Sequence, residues 1–137
     1  MIDYADDVSG WMEPHKNSAG AAGMLQLWEQ RQGYTPDGPF LVLTGGDMWT
    51  GPAVPALTAG KSMTDIMNRT MYQSALGKQD FAFDLDAIHQ RAAQAEFPFL
   101  STNLTERATG APPDFVKPYA LIEVNGIRVG VIGLTTV

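Results

Sequence analysis

The chain has 137 residues and a mass of 14.8 kDa, enough for a single hydrophobic core. It is 45% hydrophobic and 18% charged, as globular chains are, and it has no apolar run near the roughly 18 residues a membrane-crossing helix requires, so no membrane partner is expected. A net charge of −6 leaves no basic face for a nucleic-acid polymer, and the lack of cysteine excludes disulfides, thiolate zinc sites and a cysteine nucleophile.

In chain order, Met1 to Ala5 predicts a short strand, and Met1 to Gly10 has neither the basic nor the apolar region of a secretory signal. Ala21 to Gln32 predicts a helix with Met24, Leu25, Leu27 and Trp28 at helical spacing. Pro36, Gly38 and Pro39 punctuate the turn before Phe40-Leu41-Val42-Leu43, a continuous apolar run that suits a strand buried on both faces. Gly45 to Gly60 predicts a loop, with Ser62 as the N-cap of a helix carrying Met63, Ile66 and Met67.

A second short strand, Ser74-Ala75-Leu76, stops at Gly77. Asp84 is placed to cap a helix running to about Ala95, with Leu85, Ile88 and Ala92 on one face, and Phe97-Pro98-Phe99-Leu100 predicts the strand that follows. Tyr119 to Val124 and Ile127 to Leu134 flank Asn125-Gly126, a pair that tolerates positive φ at both positions and predicts a tight hairpin. The alternation favours an α/β layered fold with a mostly parallel sheet, helices and a C-terminal β-hairpin, in one domain over residues 1–137.

Ligands in such folds bind where loops leave the carboxyl ends of strands. Three segments qualify: Asp6 to Gly10, Gly45 to Trp49, and Gly77 to Phe81. An Asp after a buried strand is more often a turn former or helix cap than a ligand, but two such Asp leaving one sheet are less easily set aside. Trp11, Trp49, Phe81 and Phe83 lie in or beside these loops, placed either to pack or to stack on a base.

Taken together, these segments resemble the calcineurin-like metallophosphoesterase family, in the branch that holds bacterial 5'-nucleotidases and cyclic-nucleotide phosphodiesterases. Its members show an Asp-x-His-Gly turn, a Gly-Gly-Asp loop and a Gly-Asn-His-Glu-Phe-Asp loop, then a Phe-Pro-Phe-Leu-Ser-Ala-Asn-Leu strand and a hairpin entering Gly-Leu-Thr-Thr. Here the second loop is Gly45-Gly46-Asp47-Met48-Trp49, the strand is Phe97 to Leu104, and the hairpin leads into Gly133-Leu134-Thr135-Thr136. The likeness covers nearly the whole chain and implies the N-terminal part of the catalytic domain, incomplete relative to the family.

The resemblance implies two divalent metals, Mn, Fe, Zn or Mg, that activate a water and clamp a phosphate. It places Asp7 at the first-loop carboxylate position and Asp47 at the bridging position. Ser9 stands where the family has a His ligand, Lys78 where it has a metal-binding Asn, Gln79 at the catalytic His, and Ala82 at the Asp that ends the third motif. The remaining family His ligands fall beyond residue 137. His15 and His89, the two histidines present, match no motif position; His15 is expected in solvent and His89 on a helix away from the loops.

A hydroxyl is a poor replacement for imidazole as a ligand, and a glutamine amide exchanges no proton near neutral pH. Two carboxylates about 4 Å apart repel by roughly 4 kcal/mol at an effective dielectric near 20, which a cation must relieve. Lys78 either supplies it by pairing with Asp7 and Asp47 or points to water. The expected function is thus a metallophosphoesterase-like domain for nucleotides or small phosphoesters, with a degenerate metal site holding metal weakly or not at all. Its alternatives are an active phosphohydrolase completed by a missing segment or partner chain, and a binding or assembly module. Self-association or a partner covering the open sheet is expected under each reading. The family is commonly periplasmic or secreted, and compartment stays open here.

Overall fold

The computed structural model describes residues 1–5, 9–16, 19–70 and 72–136. Its elements follow the order β1 (Ile2–Tyr4), α1 (Gly20–Gln32), β2 (Leu41–Thr44), α2 (Ala53–Leu57), α3 (Lys61–Arg69), β3 (Tyr72–Ala75), α4 (Leu85–Gln94), β4 (Phe99–Leu100), β5 (Tyr119–Val124) and β6 (Ile127–Ile132), with a 3-10 turn at Lys78–Ala82 between β3 and α4. Strands β1 to β4 form a parallel sheet in sequential order, in the register Ile2↔Leu41, Val42↔Tyr72 and Ser74↔Phe99. Right-handed crossovers in a sequentially ordered sheet bring the helices to one face. There Val42, Leu76 and Phe99 meet Trp28, Met63, Met67 and Ile88 in one core.

β5 and β6 pair antiparallel through a turn in which Asn125 and Gly126 both have positive φ, 51° and 77°, as that dipeptide predicts. Residues beyond β4 tie the hairpin to the sheet. Asn103 and Thr135 exchange hydrogen bonds: the Asn103 side chain donates to the Thr135 carbonyl at 2.7 Å and accepts from its N–H at 2.9 Å, while the Thr135 hydroxyl donates to Ser101. The two motif segments 97–104 and 133–136 are therefore halves of one clasp. Among the described residues no helix is long and apolar enough to cross a membrane.

Several local expectations shift. The 45–60 segment, expected as a loop, contains α2. Pro52 sits at the N-cap and Pro55 in the first turn, where an N–H has no intrahelical partner to lose. Ser62 is not the cap of α3. The helix starts at Lys61, because the end of α2 turns through Ala59 (φ 45°) and Gly60 (φ 77°) straight into it. Gly60 is needed there, since a Cβ would strike the Trp49 ring. On α1, Trp28 is buried and Met24 and Leu25 pack against the core, but Leu27 faces outward, 53% exposed. Asp84 caps α4 as expected, accepting from the Ala87 N–H at 2.8 Å.

β1 has its polarity reversed. Ile2 and Tyr4 are exposed, while Asp3, beside Val42 on the core side, is only 5% exposed and its Oδ2 has no hydrogen-bond partner among the described residues. Nearby Tyr34 has its hydroxyl pKa raised, first by burial and then by the charges of Asp3 and Glu29. Leaving a buried carboxylate oxygen unsatisfied costs on the order of 1–3 kcal/mol. Asp3→Leu is therefore expected to stabilise the fold by roughly that amount, seen as a higher urea midpoint at unchanged slope; an unchanged or lower midpoint would mean the carboxylate is compensated.

Candidate active site

The parallel order puts the segments after β1, β2 and β3 side by side at one end of the sheet, and Asp47 joins all three. Its carbonyl accepts from the Ser9 N–H at 3.1 Å, its own N–H donates to Asp80 Oδ2 at 2.9 Å, and its Oδ1 accepts from the Gln79 N–H at 2.6 Å. Asp47 adopts φ 55°, a left-handed conformation uncommon outside glycine. Glycines let the three loops touch. A Cβ on Gly46, itself at φ 107°, would overlap the Gly77 nitrogen; one on Gly77 would overlap the Asp47 carboxylate; one on Gly51 would overlap the Ser9 carbonyl.

Asp80, which no sequence argument singled out, holds the second and third loops together. It is 2% exposed and accepts from the N–H groups of Asp47, Met48 (3.1 Å) and Gly77 (3.0 Å). Burial pushes its pKa up to about 6; the three N–H donors oppose the rise and the Asp47 charge adds to it. A signal was present, since Asp80 keeps a carboxylate at the Glu position of a motif whose neighbours at 78, 79 and 82 have all changed. Its significance lies in contacts to residues 32 and 33 positions away, which no local pattern reveals.

The other candidates distribute unevenly. Asp7 lies outside the described residues, so its pairing with Asp47 does too. Lys78 and Gln79 are exposed, and Ala82 ends the 3-10 turn in solvent. Lys78 makes no ion pair with Asp47, because the turn presents the backbone N–H of Gln79 to that carboxylate instead. The Gln79 side chain accepts from the Thr50 hydroxyl at 2.9 Å. Trp49 is a core residue, 1% exposed and edge-on to Phe99 at 5.3 Å, and so is not available to stack on a base. Trp11, half-buried, stacks on exposed His15 at 4.1 Å. Phe81 and Phe83 pack against the core. His89 is exposed on α4, against Phe115 and 3.5 Å from the Asp114 carboxylate.

The fit to a pair of metals can be judged from donor chemistry. Among the described residues no group of three or more His, Asp or Glu side chains is placed to hold a metal ion. Asp47 offers a carboxylate with one oxygen already bonded to an amide, and the buried Asp80 carboxylate is turned toward three backbone N–H groups. A protonated lysine offers no lone pair. The described residues do not fit a two-metal centre, which requires four to six donors around each ion.

A parallel sheet whose first three loops converge on a glycine-framed aspartate is the layout of a calcineurin-like phosphoesterase domain. Solved structures agree. A 5'-nucleotidase precursor from Thermus thermophilus superposes with a TM-score of 0.81 at 27% identity, over 98% of this chain and 28% of its own. A calcineurin-like phosphoesterase, YfkN from Bacillus subtilis, shares the fold at a TM-score of 0.69 and 20% identity, over 98% of this chain and 47% of its own. Protein UshA of Yersinia enterocolitica is 34% identical over 98% of this chain and 25% of its own length, and a Vibrio parahaemolyticus 5'-nucleotidase is 32% identical over 92% and 22%. A scan against protein-family profiles found no match. The chain belongs to the 5'-nucleotidase branch of the calcineurin-like phosphoesterases, and it spans about a quarter of the length of these two curated relatives.

Proposed function

We propose that this chain forms a metallophosphoesterase-like module that receives a nucleotide or small phosphoester at the loops around Asp47 and, alone, hydrolyses it feebly or not at all. The observation that carries the reading is the bond from the Gln79 N–H to Asp47 Oδ1. A backbone amide engages one oxygen of the expected bridging carboxylate, and the side chain beside it is a carboxamide that transfers no proton. Substitution at Ser9 and Lys78 removes further donors from the same place. Any metal is bound weakly under this reading.

A second reading, an active phosphohydrolase whose site is completed by another segment or a partner chain, draws support from the quarter-length coverage of the curated relatives. Hydrolysis of a nucleoside monophosphate with added manganese separates the two. The chain alone is expected to release phosphate at a rate close to the manganese blank; turnover by it alone at least ~100-fold above that blank would refute the first reading, and such turnover that appears only with a co-purifying chain would establish the second. As a third element, the outer face of the hairpin, with Tyr119, Leu121 and Ile132 exposed, is proposed to support self-association or a partner's approach. Light scattering on the same preparation is expected to show mass rising with concentration, and a constant monomer mass would remove that proposal.

A further inference from the structure

We infer that Asp80 is a positioning residue: its buried carboxylate, bonded to the backbone of two loops, sets the direction in which Asp47 presents its own carboxylate. The loop after β2 and the loop after β3 meet backbone to backbone, with Gly46 against Gly77 and no room for an intervening side chain. At that junction the N–H groups of Asp47, Met48 and Gly77 all point inward, and all end on Asp80. Asp80 Oδ2 takes one N–H from each loop, Asp47 at 2.9 Å and Gly77 at 3.0 Å, so a single atom fixes the spacing between them.

The consequence reaches an atom that Asp80 does not touch. With its N–H held by Asp80 and its carbonyl held by the Ser9 N–H, Asp47 is locked at φ 55°. In that conformation its side chain meets the Gln79 N–H. The Gln79 amide thus reports how Asp47 is aimed, without itself bonding to Asp80. This inference goes beyond the proposed function and holds whether the loops receive a phosphate, a cation or neither.

Asp80→Asn is the direct test, because it keeps shape while replacing one acceptor oxygen with an N–H₂ donor that faces N–H groups. Amide hydrogen exchange followed by NMR is expected to speed up at least ~10-fold at Asp47, Met48, Gly77 and Gln79, with α4 and the β5–β6 hairpin unchanged. Faster exchange at the first three with Gln79 still protected would overturn the inference, as would an equal acceleration throughout the chain. Should that variant fail to fold, native-state exchange of the unmutated chain in rising denaturant decides the matter. The four amides are expected to open as one unit with a common slope, and a Gln79 amide that opens separately from the other three would overturn the inference.

Discussion

Trp49→Ala is expected to lower the stability of the fold by about 3–5 kcal/mol, the range for removing a large aromatic from a packed core. Trp49 is among the largest fully buried side chains, meets Phe99 edge-on at 5.3 Å and lies against Gly60, the residue through which α2 turns into α3. Its loss opens a cavity beneath three elements at once. The same residue follows Met48 and Asp47 directly, so it also anchors the loop that carries the site. Thermal unfolding by circular dichroism is expected to show a midpoint lower by roughly 10–15 °C for a domain of this size. A shift of only a degree or two would mean that the ring is not packed as described.

Gly46→Ala is the second large effect and acts by a different route. At φ 107° the backbone occupies a region that an L side chain rarely enters, and the added methyl would overlap the Gly77 nitrogen. Backbone strain costs on the order of 1–3 kcal/mol and overpacking a similar amount, so a combined loss of about 3 kcal/mol or more is expected. Relief requires the second and third loops to separate, which breaks the bonds from Asp47 and Gly77 to Asp80. Urea unfolding measures the stability change; NMR shifts confined to residues 44–51 and 76–83 would locate it. A variant as stable as the parent, with unmoved loop resonances, would contradict the close approach.

What was legible in the sequence is what local chemistry determines. Asn125-Gly126 sets the hairpin register because both residues accept positive φ, and Asp84 caps α4 because its carboxylate reaches a free N–H three residues on. The Phe40-to-Leu43 run marks β2 because a strand covered on both faces has no polar alternation to show. The misses involve residues whose role is set from outside their own segment. Gly45 to Gly60 reads as a loop until α2 places Pro52 and Pro55 where no N–H is needed. Asp3 points inward because pairing with β2 places it beside Val42, against the preference of its own side chain.

The candidate site divides along the same line. Asp47 stands out in the sequence because its Gly-Gly-Asp loop resembles a motif of the family, and that motif is contained within a few residues. Asp80 escaped because its partners Asp47 and Met48 come from a loop more than thirty positions earlier, and only the parallel pairing of β2 with β3 brings them together. The orientation of Lys78 was likewise undetermined by sequence, since the 3-10 turn decides whether a side chain or a backbone amide meets Asp47.

The proposed function rests on a shortage of donors: Ser9, Lys78 and Gln79 stand where the family resemblance implies imidazole and carboxamide ligands and a proton-transferring histidine. Calorimetric titration of the purified chain with manganese(II) addresses it most directly. No saturable uptake in the micromolar range is expected; two equivalents bound with sub-micromolar affinity would mean that the donors suffice and the proposal fails.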